Sequence, residues 1–168
     1  MRLTLDEGPG MDATQPALTQ QGAQIGDDQA VAIVRGRRSD LRAALIAAEA
    51  AIAAPIPGRS VDWATRVRTA LAQLRVAFSE HVVTAEGPDG LFAQLAVRAP
   101  RLSNACQNLG DEHATITEAL TKAEGALTGP PEEVREAVLT VLALLARHRQ
   151  RGADLMYEAY AVDIGGED

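Results

Sequence analysis

Along three long stretches of this chain, apolar side chains recur at alternating spacings of four and three, and proline and glycine gather between the stretches. Residues 60–86 give Val67, Leu71, Leu74, Phe78, His81 and Ala85. Residues 100–125 give Leu102, Cys106, Leu109, His113, Ile116 and Leu120. Residues 128–160 give Val134, Val138, Val141, Leu145, His148, Gly152 and Leu155. A period of about 3.5 residues lays one stripe along a helix, to be buried against matching stripes on neighbouring helices. An earlier stretch adds Val31, Val34, Leu41, Leu45, Ala48 and Ile52 in a comparable series.

The interruptions set the boundaries. Pro55 and Pro57 in "PIPGR" cannot continue a helix, which predicts a first helix from Asp28 to Ala54. Ser60 caps a second, which runs to Glu86 and stops at "GPDG" (87–90). The short apolar piece "LFAQLAV" (91–97) leads to Pro100, a first-turn residue for a third helix ending near Gly125. The fourth begins in "TGPPEE" (128–133), where Glu132 and Glu133 suit the positive end of the helix dipole, and extends to about Tyr160. Four long helices with short connections predict an all-α, up-down-up-down four-helix bundle.

With 46% apolar but only 3% aromatic residues among 168, the core of one such domain is filled mainly by Ala, Leu and Val. The expected organisation is a flexible acidic leader at 1–27, the bundle at 28–160 and an acidic tail at 161–168; Met11 is an alternative start. Of the 16 Lys and Arg and 23 Asp and Glu, Arg2 is the only base in 1–28 and 161–168, against eight acids there. The remainder, 29–160, therefore balances and offers no basic surface for a phosphate backbone, so no nucleic-acid partner is expected. Nor is a membrane segment, since no uninterrupted apolar run reaches about 20 residues. One cysteine, Cys106, permits no intrachain disulfide, and a cytoplasmic location is expected.

All three histidines of the chain fall in these stripes, one per helix. A stripe takes two of every seven positions, so chance would put all three there with odds of roughly 2%. One histidine in a stripe reads as a buried ring bonded to a neighbour. Three neutral imidazoles converging inside a bundle read as a ligand set for iron, zinc or another transition metal.

The segments "FSEHVVTAEGPDGLF" (78–92), "LGDEHATI" (109–116) and "LLARHRQRGADLMYEAY" (144–160) resemble the second, third and fourth helices of hemerythrin-like, or HHE cation-binding, domains. The resemblance covers about 30–160. It implies a four-helix bundle holding a non-haem di-iron centre through histidines and bridging carboxylates, used for oxygen, redox or iron sensing or binding, or for nitric oxide or peroxide chemistry. His81, His113 and His148 match the family's histidines.

The second ligands depart from the pattern. Where the family has a carboxylate four after the second-helix histidine, this chain has Ala85, with Glu86 next; four after His113 is Thr117, with Glu118 next. After His148 come Gly152 and Ala153 before Asp154. At about 100° per residue, an offset of four leaves a side chain about 40° from the histidine's face, whereas five leaves it about 140° away. A π-bulge would bring the displaced acids back, or the glycine and proline after Glu86 would end the helix and let that side chain fold inward. Gly152 allows a bulge or gives room in the core, or else serves close helix packing. The family's first-helix histidine falls at Arg38, which either reaches solvent or pairs inside the bundle with Glu86 or Asp154 in place of one metal charge.

The expected metal set is therefore His81, Glu86, His113, His148 and Asp154, holding iron as a di-iron or mononuclear centre, with zinc the alternative. A small diatomic or redox ligand is the expected partner. A metal-free bundle acting as an interaction or regulatory module is the competing reading, and a peroxide- or nitric oxide-consuming enzyme a third. Cys106 reads as a buried structural thiol, and Tyr157 and Tyr160 as caps at one end of the bundle.

Overall fold

The computed structural model describes Gly36, residues 39–56 and residues 60–161. The leader at 1–27, Arg38 and residues 162–168 lie outside them. All the described residues except Gly36 belong to one compact unit, Arg37–Asp168. Among them only helices and turns occur. The first helix, α1, covers 39–53, so its predicted end is observed while its predicted start lies outside the described residues. Then follow α2 (Ser60–Glu86), α3 (Leu91–Arg98), α4 (Ser103–Gly125) and α5 (Pro131–Ala161). Single 3-10 turns at Pro100–Leu102 and Ala126–Thr128 flank α4. No described helix is long and apolar enough to cross a membrane.

Each boundary has a local cause. The last carbonyls of α1 have no partner within the helix once Pro55 removes the next donor. Arg135 on α5 supplies the missing donors, its Nε reaching the Ile52 oxygen at 3.0 Å and its Nη2 the Ala54 oxygen at 3.4 Å. The same guanidinium lies 5.2 Å from the ring centre of the buried Trp63, which ties α1, α2 and α5 together. After α2 the chain reverses tightly, with the Gly90 N–H donating to the Gly87 oxygen at 2.7 Å. A Cβ on Gly90 would stand 2.6 Å from the Ala85 oxygen and 2.8 Å from the Gly87 backbone, so only glycine fits this turn.

The turn folds α3, the piece expected only as a short apolar connection, back against α2 and α4. Eight residues are too few to hold a helix in isolation, and α3 gains its stability by burying Leu95. Pro131 opens α5 with Glu132 and Glu133 in its first turn, as expected from the sequence.

Contacts along α4 fix its direction. Arg75 of α2 clasps Glu124 with Nε and Nη2 at 2.6 and 2.8 Å, while Glu86 at the other end of α2 reaches His113. Toward α5, Glu112 of α4 meets Arg151, and Arg101 in the 3-10 turn leading into α4 meets the Glu158 carbonyl. Numbers rise on one helix as they fall on the other in both pairs, so α4 runs antiparallel to α2 and to α5.

Apart from Ala85, the buried apolar residues among those described form two separate clusters. The larger draws on α1, α2, α4 and α5 and includes Leu45, Trp63, Leu71, Leu74, Phe78, Ile116, Leu120, Val138 and Leu145. The smaller joins Leu95, Ala99, Leu102, Cys106, Leu109 and Leu155. On α4 the boundary falls between Leu109 and Ile116, and on α5 between Leu145 and Leu155. His113 and His148 occupy those gaps.

Candidate metal centre

Three helices deliver one histidine each to the layer between the clusters. His113 and His148 are buried, at 3% exposure each, and His81 is half-buried. The seams placed them there: each ring replaces an apolar residue in the stripe its helix turns inward. The Nε2 atoms meet, with His81 Nε2 at 3.1 Å and His113 Nε2 at 3.2 Å from His148 Nε2. One donor atom from each ring lies within 4.8 Å of the others, so the three side chains could hold a metal ion.

The outward-facing nitrogens of His113 and His148 are engaged by carboxylates. His113 Nδ1 lies 2.5 Å from Glu86 Oε1, and His148 Nδ1 lies 3.0 Å from Glu112 Oε2. Glu112 gives its other oxygen to Arg151 Nη1. A carboxylate only accepts, so each imidazole donates from Nδ1–H and keeps a lone pair on Nε2 when the ring is neutral.

Burial, the largest influence on His148, pushes its imidazole below the ordinary histidine value; Glu112 pulls it upward, while His113 and Arg151 add to the lowering. The neutral form is the one a metal requires. For Glu112 burial would raise the carboxyl, but the bonds from His148 and Arg151, with their charges, outweigh it and hold the group below its usual range.

No protein-family model, curated protein or solved structure matches this chain.

Of the five residues expected to hold metal, the structure brings His81, His113 and His148 together as converging donors. Glu86 reaches the site but on the far nitrogen of His113, away from the Nε2 cluster. It gets there because α2 ends at Glu86, with no π-bulge in the helix. Its Oε1 passes over Gly110, where a Cβ would sit 3.6 Å away. Asp154 does not come to the histidines: it is exposed on α5 and accepts from Gln150 Nε2 at 2.9 Å. Glu118 is likewise exposed.

Sequence reasoning missed Glu112, which sits beside His113 in the chain yet serves His148. It also missed the two phenylalanines. Phe78 stacks on His81 at 6.0 Å and meets His113 edge-on at 5.7 Å, and Phe92 stacks on His113 at 6.0 Å. These are the chain's only phenylalanines, packed against two of its three histidines. That coincidence of rare residue types was available in the sequence.

Cys106 is a buried free thiol in the smaller cluster, as expected, and burial raises its pKa above the ordinary value. Tyr157 and Tyr160 are exposed. Gly152 packs closely against nothing, since a Cβ there would meet no atom within 4 Å.

Proposed function

We propose that this protein is a hemerythrin-like, up-down-up-down four-helix bundle that binds one transition-metal ion, iron or zinc, through His81, His113 and His148, and that it works in the cytoplasm as a binder or sensor of a small redox-active ligand. One observation carries the metal reading. Three imidazole nitrogens on three different helices converge at separations of 3.1 and 3.2 Å from the shared His148 Nε2.

Metal–nitrogen bonds of about 2.0–2.1 Å in a tetrahedron separate neighbouring donors by about 3.3 Å, close to those values. The donor set favours a single ion over a carboxylate-bridged pair, because Glu86 and Glu112 are spent on Nδ1 atoms. Three protein ligands leave a position for an exogenous small molecule, and the bound ion would supply Lewis acidity or, if iron, electron transfer there. The resemblance of the histidine order to hemerythrin-like domains supports the choice of a small ligand.

Elemental analysis of untagged protein tests the reading. About one iron or zinc per chain is expected, and none in a variant with His81, His113 and His148 all changed to Ala. Metal-free wild-type protein, or equal metal in the variant, would refute it in favour of a metal-free interaction module. Two ions per chain would refute the single-ion assignment.

A further inference from the structure

We propose that Glu86 and Glu112, the latter braced by Arg151, are positioning residues that keep His113 and His148 from hydrogen-bonding each other and so preserve the metal-binding lone pairs of both. The inference rests on the metal-centre reading. Its starting point is a conflict in the cluster. Two imidazole nitrogens 3.2 Å apart, as His113 Nε2 and His148 Nε2 are, normally share a proton, one donating and the other accepting. A ring that donates from Nε2 has no lone pair left there for a metal.

The carboxylates prevent that arrangement. Glu86 at 2.5 Å draws the proton of His113 to Nδ1, and Glu112 at 3.0 Å does the same for His148. Both Nε2 atoms are then acceptors facing one another, a contact that is repulsive until a cation stands between them. The fold thus holds two of the three rings in the tautomer a cation needs before any cation arrives.

Arg151 makes the arrangement directional. It takes Oε1 of Glu112 and leaves Oε2 for His148. Among the described residues Glu86 has no such brace; it is held by the end of α2 and by the open passage over Gly110. Partners of this kind on the outer nitrogen of metal-bound histidines orient the ring and raise its basicity. The same two bonds explain why neither acid joins the converging donors.

The test uses full-length protein and zinc as the probe. Zinc affinity is measured by competition with a chromophoric chelator, and histidine tautomers by nitrogen-15 NMR of the metal-free protein at mildly alkaline pH. Wild-type His113 and His148 should both show the Nδ1–H form. Glu112→Ala should move His148 toward the Nε2–H form and weaken zinc by about 10- to 100-fold. Glu86→Ala should do the same through His113.

Glu86→Gln keeps an acceptor oxygen for His113 and should recover its Nδ1–H form and most of the affinity, whereas in Glu112→Gln the single amide oxygen is claimed by Arg151 and His148 should stay shifted toward Nε2–H. Melting curves of the metal-free variants separate these effects from loss of fold. Alanine variants with wild-type tautomers and affinity would overturn the inference. So would a Glu86→Gln variant as impaired as Glu86→Ala, the behaviour of a direct ligand. If wild-type protein takes neither zinc nor iron(II), the metal reading has failed, and the tautomer measurement alone still decides whether the two acids set the rings.

Discussion

Gly152 lies one turn after His148 inside a helix that runs unbroken from Pro131 to Ala161, and replacing it by alanine is a clean perturbation. Two effects could justify glycine there, a backbone that other residues avoid or a neighbour too close for a Cβ. Neither operates, since the residue has no positive φ and, among the described residues and beyond its own helix backbone, a Cβ would meet nothing within 4 Å. What remains is the entropic penalty of glycine in a helix interior, about 1 kcal/mol relative to alanine. Gly152→Ala is therefore expected to stabilise the metal-free protein by about 0.5–1 kcal/mol, and to raise the melting temperature by about 1–4 °C for a domain of this size. Urea denaturation followed by circular dichroism measures this, with the midpoint moving up and the slope unchanged. A neutral or destabilising result would refute the reasoning, because it would require an atom near that position or a helix that needs glycine's freedom.

Two further predictions concern the buried titratable groups. Burial holds the folded-state pKa of His148 below its unfolded value of about 6.5, so the unfolded chain takes up this proton first as the pH falls. Stability of the metal-free protein should be fully present above pH ~6.5 and decline below it, by up to about 1.4 kcal/mol per pH unit for one such group. A urea midpoint that is flat or rises from pH 7 to pH 5 would contradict this; His148→Ala should flatten the slope. Cys106, buried with its thiol pKa raised, should resist a thiol-reactive disulfide reagent near pH 7.5 and react on denaturation. Rapid labelling of the native protein would contradict its placement.

Helices were legible because their causes are local. The spacing Val67, Leu71, Leu74, Phe78 and the prolines and glycines at 55–58 and 87–90 are facts of neighbouring residues, and the bounds of α2 follow from them. What escaped was α3, whose eight residues are helical because Leu95 is buried against other elements rather than because of their own propensity. The histidines were legible for the same reason as the core: a stripe that buries leucines buries whatever else stands in it.

The acids were not, and the reason is geometric. A seam describes one face of one helix, whereas a carboxylate reaches a histidine on another helix from a different face. Glu112 is one residue from His113, about 100° around α4, and that rotation is what aims it at His148 on α5. Periodicity sees such a residue only as an acid outside the stripe. Glu86 stands five residues after His81, about 140° off its face on a continuing helix. The helix does not continue, and a chain end obeys no period: the side chain turns to His113 on α4 instead of His81 on its own helix. Asp154 was read from spacing along α5 alone, but six residues leave it about 120° from His148, on the exposed side. In each case the histidine was found from its own helix and its partner only from the packing of two. An acid adjacent in sequence to a seam histidine therefore carries more information about the neighbouring helix than one a full turn away.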